Sequence, residues 1–131
     1  MDLLPLILIV DDEADFREIF SAKLTSVGYR IETADDGMQA IERAKELKPD
    51  LILMDMRMPN LTGAEALLKL KDDPITKNIK VLFLSNLGDP QPEMQEINRR
   101  FAEQVGAIGY LKKTDDLEVL VSKVSAVLKQ K

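Results

Sequence analysis

The chain contains no cysteine and no histidine. Without Cys there is neither a disulfide framework nor thiolate ligation of zinc. Without His there is no imidazole general base, no His-containing catalytic triad and no His-ligated metal. Any metal must then be held by oxygen, which points to Mg²⁺, Mn²⁺ or Ca²⁺. Tryptophan is absent too, and four Phe and two Tyr are the only aromatic residues. Long apolar runs are also missing. Leu3–Val10 is too short to span a bilayer and runs straight into Asp11-Asp12-Glu13. It lacks the basic start and the small-residue cleavage site of a signal peptide. These absences predict a cytoplasmic protein with no membrane association.

What is present suits one domain over 1–131. A chain of 131 residues and 14.7 kDa buries roughly two-thirds of its unfolded surface, enough for a core without staples. The net charge is −5 and the pI about 4.8, which argues against direct binding to nucleic acid. The acid is concentrated early. Residues 1–59 carry 13 acidic and 7 basic groups, and the remainder carry 10 and 11.

Apolar runs alternate with helical patterns five times. Leu6–Val10 reads as a strand. Phe16, Ile19, Phe20, Leu24 and Val27 then recur at helical spacing, and Gly28 stops them. Tyr29–Thr33 reads as a second strand, Met38–Leu47 as a helix, and Leu51–Met54 as a third strand ending at Asp55. Gly63–Leu70 gives a short helix, and Val81–Leu84 a fourth strand. Asp89-Pro90 reads as an N-cap with Pro at the first helical position, opening a helix whose apolar stripe is Met94, Ile97, Phe101 and Val105. Ile108–Leu111 is the fifth strand, and Thr114 or Asp115 caps a last helix through Leu128. Continuous apolar strands are buried on both faces, as in a parallel sheet covered by helices. The expected fold is therefore α/β, a doubly wound parallel five-stranded sheet with the first strand inside it.

In such a sheet ligands bind at the carboxyl ends of the strands, where strand order reverses. Asp11 and Asp12 end the first strand, Asp55 the third, Ser85 the fourth and Lys112 the fifth. With the order 2-1-3-4-5, strands 1 and 3 are neighbours and the three Asp converge. Two unit charges about 5 Å apart repel by roughly 3 kcal/mol at an effective dielectric of 20. Three such pairs come to on the order of 10 kcal/mol, as much as a typical domain's stability. The cluster therefore needs positive charge. Lys112 supplies one unit, and a hard divalent ion the rest. A carboxylate can attack phosphorus to form an aspartyl phosphate, and phosphoryl transfer then needs neutralisation of the transferred oxygens. Asp55, alone at the end of the central strand, is the expected nucleophile, Asp11 and Asp12 the metal ligands, and Ser85 a hydrogen-bond donor to phosphoryl oxygen. Each residue alone is ordinary: an Asp after a strand caps helices, and a Lys there is usually solvated. The set is not.

At these residues the sequence resembles the receiver domain of bacterial two-component response regulators. The matching segments are Ile7-Leu8-Ile9-Val10-Asp11-Asp12-Glu13, Asp50 through Pro59, Leu84-Ser85 and Gly109-Tyr110-Leu111-Lys112-Lys113, with Asp36-Gly37, Gly63 and Gly106-Ala107 also fitting. The resemblance spans essentially the whole chain. It implies a flavodoxin-like (βα)5 fold and transfer of a phosphoryl group, with Mg²⁺, from a histidine kinase or histidine phosphotransfer protein to Asp55. Asp11, Asp12 and Asp55, with the backbone carbonyl of Arg57, would hold Mg²⁺, and Ser85 and Lys112 would contact the phosphoryl group. Tyr110 matches the switch aromatic that turns inward when the hydroxyl residue moves. Output would go to a downstream protein target through the helix 4–strand 5–helix 5 face, including Glu93, Glu96, Arg99, Arg100 and Glu103, as a monomer or a phosphorylation-linked dimer. Lacking His, the chain cannot be its own histidine phosphodonor. It would signal rather than act as an enzyme, apart from self-catalysed phosphorylation and dephosphorylation.

The sequence departs from the family in three places. Asn86 stands where a small residue is usual, and its bulk would narrow access to Asp55. The 27-residue step from Ser85 to Lys112 is several residues long, with the excess around Gly88–Pro92. Arg57 could reach toward the site. Other readings fit less well. A haloacid-dehalogenase-type phosphatase resembles Asp-x-Asp with an acid where Arg57 stands. A flavodoxin needs a hydroxyl-rich first loop and aromatics. A dinucleotide binder needs Gly-x-Gly-x-x-Gly, which is absent. The remaining alternative is a phosphorylation-independent receiver-like scaffold.

Overall fold

The computed structural model describes residues 4–56, 58, 61–85 and 106–129, apart from the side chains of Ser85 and Tyr110. The expected Asp89-Pro90 cap and Met94–Val105 helix, with Arg57, Asn86 and the charged residues 93–103, lie outside the described residues. Five strands alternate with helices: β1 (Leu6–Val10), α1 (Ala14–Ser26), β2 (Arg30–Ala34), α2 (Gly37–Leu47), β3 (Leu51–Asp55), α3 (Gly63–Lys71), β4 (Lys80–Ser85), β5 (Gly109–Lys112) and α4 (Leu117–Leu128). The strands form one parallel sheet in the order β2-β1-β3-β4-β5, with Val10 opposite Met54, Asp55 opposite Leu84, and Ser85 opposite Lys112.

Side-chain alternation along the strands divides the interior into two cores. Ile7, Ile9, Leu51, Leu53, Leu82, Leu84 and Leu111 face α1 and α4, meeting Phe20, Leu24, Leu120 and Val124. Leu8, Val10, Ile52, Met54, Val81 and Phe83 face α2 and α3, meeting Ala40, Ala44, Ala66, Leu67 and Leu70. β3 is buried at every residue, which is why its sequence shows no polar alternation.

Local signals place the helices. Asp36 caps α2 by accepting from the Gln39 amide at 2.8 Å. Thr62 and Glu65 form a reciprocal capping box at the start of α3. Gly28, at φ +108°, turns the chain out of α1 in a conformation that a side chain would strain. The last helix begins later than its sequence suggests. Asp116, not Thr114 or Asp115, occupies its N-cap position, while Asp115 lies 3.4 Å from Lys123. No helix among the described residues is long and apolar enough to cross a membrane.

Candidate phosphoryl and metal site

The sheet brings Asp11, Asp12 and Asp55 together at the carboxyl ends of β1 and β3. One carboxylate oxygen from each lies within 4.8 Å of the others. Asp11 and Asp55 are buried and Asp12 is exposed. The Asp11 backbone extends the β1–β2 ladder, its N–H donating to the Ala34 carbonyl at 3.1 Å. Its Oδ1 accepts from the Glu13 amide at 2.8 Å, and its carbonyl accepts from the Arg17 guanidinium. Asp55 is held from behind by α3. The Gly63 amide donates to the Met56 carbonyl at 3.1 Å, and a Cβ on Gly63 would sit 2.3 Å from the Asp55 carbonyl oxygen. Only glycine allows the helix to come that close.

The lysine expectation requires a correction. Lys112, expected from the sequence, is exposed. The ammonium among the carboxylates belongs to Lys113, at 2.6 Å from Asp11 Oδ2, 2.8 Å from Glu13 Oε1 and 3.2 Å from Asp55 Oδ2. The side chains of Asp11, Asp55 and Lys113 are 0, 4 and 5% exposed. Strand parity is the reason. Leu111 points into the α1–α4 core, so Lys113, two residues on, returns to that side, while Lys112 lies between them with the opposite parity. Asp11 follows Ile9 and Asp55 follows Leu53 on the same side. The Nζ also lies 5.0 Å above the centroid of the Phe16 ring, which adds a cation–π contact from α1. Burial pulls the Lys113 pKa down. The hydrogen bonds to Asp11 and Glu13 and the charges of Asp55 and Asp11 outweigh it, so the pKa is raised and the ammonium stays charged.

Ser85 ends β4, paired in register with Lys112, and Tyr110 lies in β5 opposite Phe83. Their backbones stand at the same edge of the sheet as the acidic cluster. The sequence reading passed over Glu13 as a site residue and missed Lys113. Counting by two from the apolar Leu111 would have found the lysine.

The donor set fits a hard divalent cation. Among the described residues it offers carboxylate oxygens, and the Lys113 ammonium does not by itself balance the charges of Asp11, Asp12, Glu13 and Asp55. The family model for the response regulator receiver domain matches residues 7–125. The chain belongs to this family. It is 34% identical over 127 residues to the DNA-binding dual master transcriptional regulator RpaA of Synechocystis, covering 97% of this chain and 50% of that protein. It is 36% identical over 124 residues to the phosphate regulon transcriptional regulatory protein PhoB of Pseudomonas aeruginosa, covering 95% and 52%. Among solved structures it is similar to the chemotaxis protein CheY4 of Vibrio cholerae, at 30% identity and a TM-score of 0.83, covering 95% of this chain and 99% of that one. The receiver domain therefore spans about half the length of these two curated relatives. Receiver domains are signalling modules of two-component systems, and the flavodoxin-like topology is the one expected from the sequence.

Proposed function

We propose that this receiver domain is a phosphoacceptor of a two-component system or phosphorelay, in the cytoplasm, taking a phosphoryl group on Asp55 from a histidine kinase or histidine phosphotransfer protein. The observation that carries this reading is the convergence of Asp11, Asp12 and Asp55 with the Lys113 ammonium in one crevice. Asp11, Asp12 and Asp55 would hold Mg²⁺, with the Arg57 carbonyl as a further ligand. Bound there, Mg²⁺ would supply positive charge to neutralise the transferred oxygens.

An Asp55 oxygen attacks phosphorus. The bond from phosphorus to the donor imidazole nitrogen breaks, and that nitrogen keeps the electron pair. Lys113, already 3.2 Å from Asp55, takes the role first expected of Lys112 and donates to the new phosphoryl oxygens. Ser85 supplies a hydroxyl donor, and Tyr110 follows its movement. The added charge biases the surface around β5 and α4 between two states and so selects a downstream protein.

Incubation with acetyl phosphate and Mg²⁺, followed by intact mass, tests the reading. The wild type should gain one phosphoryl group. Asp55→Asn, or wild type with a chelator, should gain none. Failure of the wild type with every donor would leave the phosphorylation-independent scaffold.

A further inference from the structure

Resting on that reading, we infer that Glu13 is a positioning residue that keeps the Lys113 ammonium over the site while Asp11 and Asp55 are otherwise engaged. An ammonium has three donors, and three carboxylates face this one. Asp11 is at 2.6 Å, Glu13 at 2.8 Å and Asp55 at 3.2 Å. Asp11 and Asp55 also belong to the set of oxygens that would hold a cation, and Asp55 would carry the phosphoryl group. Both partners therefore weaken as anchors once the site is loaded. Glu13 lies outside that cation-holding set, so its hold on Lys113 survives.

Local geometry places Glu13 for this duty. Its amide donates to Asp11 Oδ1 at 2.8 Å, fixing the residue beside Asp11, and it occupies the N-cap position of α1 without capping it through its side chain. The carboxylate is thus directed to a partner 100 residues away rather than to the helix it precedes. Phe16, in the first turn of that helix, lies under the Nζ. Glu13 and Phe16 together make the start of α1 a seat for the lysine. Half exposed, Glu13 adds little to folding, so a functional effect can be read apart from a loss of stability.

The test compares wild type, Glu13→Gln, Lys113→Gln and the double variant. Glu13→Gln should lower the phosphorylation rate at saturating acetyl phosphate by about two- to fivefold, as expected for loss of one partly exposed charge contact. The Mg²⁺ concentration for half-maximal rate should stay unchanged. The Lys113 Cε–Hε resonance should shift in the unphosphorylated protein, and Glu13→Gln should cost nothing further in the Lys113→Gln background. A wild-type rate and an unmoved resonance in Glu13→Gln would overturn the inference while leaving the phosphoacceptor reading intact. So would an equal loss in both backgrounds, or a change confined to the Mg²⁺ requirement, which would make Glu13 a metal ligand. A wild type that takes no phosphoryl group would end both readings.

Discussion

The two ends of the sheet use the same residue types in opposite ways. At the amino end, Asp50 and Lys80 are tied to backbone. Asp50 Oδ2 accepts from the Leu6 amide at 2.8 Å, and Lys80 Nζ donates to the Val127 carbonyl at 3.1 Å. Each charge there helps to close the fold. At the carboxyl end, Asp11, Asp12 and Asp55 face one another, and Lys113 is shared among Asp11, Glu13 and Asp55. Like charges at such separations oppose folding, by roughly 3 kcal/mol per pair before solvent screening. The amino end is explained by stability alone. The carboxyl end gathers more negative charge than Lys113 alone balances, which suits the binding of a cation.

The largest expected effect breaks that end directly. Lys113→Met leaves Asp11 and Asp55 buried without the ammonium and should cost about 3 kcal/mol in urea unfolding. Lys112→Met, one residue away but exposed, should stay within about 0.5 kcal/mol. Equal losses would mean that the parity assignment is wrong. Gly63→Ala comes next. Its Cβ would meet the Asp55 carbonyl oxygen at 2.3 Å, so α3 must move back from β3. The expected cost is about 2 kcal/mol, with slower phosphorylation because the Asp55 backbone shifts with the helix. Unchanged stability together with an unchanged rate would show that α3 does not set the position of Asp55.

Much of this was legible in the sequence for a simple reason. Ile7–Val10, Leu51–Met54 and Val81–Leu84 are buried on both faces, so their composition is apolar without interruption, and the change to Asp11 and Asp55 after the first two marks the carboxyl end of the sheet. β1 was placed at Leu6–Val10, as found. The edge strand β2 was expected one residue early, at Tyr29–Thr33 rather than Arg30–Ala34, because a half-exposed strand has a weaker apolar signal. The three Asp were found because strand ends and strand order fix a crevice without any knowledge of side-chain direction. The lysine was not, because choosing between Lys112 and Lys113 requires knowing which parity faces the core, and Ile108, Tyr110 and Leu111 supply apolar residues of both. Glu13 escaped for a related reason. Its partner is 100 residues along the chain, and no local pattern links the two.

A smaller loss than that of Lys113→Met or Gly63→Ala lies at the amino end and sharpens the contrast. Asp50→Ala removes the acceptor of the Leu6 amide and should cost about 1 kcal/mol. That loss should be the same with or without Mg²⁺, because no carboxylate of the acidic cluster is disturbed. In the wild type, Mg²⁺ at about ten times its dissociation constant should add about 1.4 kcal/mol of stability, and Asp50→Ala should gain the same amount. Asp12→Asn should lose most of that gain, although its exposed carboxylate contributes little to the fold. Parallel unfolding curves of the three proteins, each with and without Mg²⁺, measure both ends at once. If Asp50→Ala lost its response to Mg²⁺ while Asp12→Asn kept it, the division between a structural end and a ligand-binding end of the sheet would have to be abandoned.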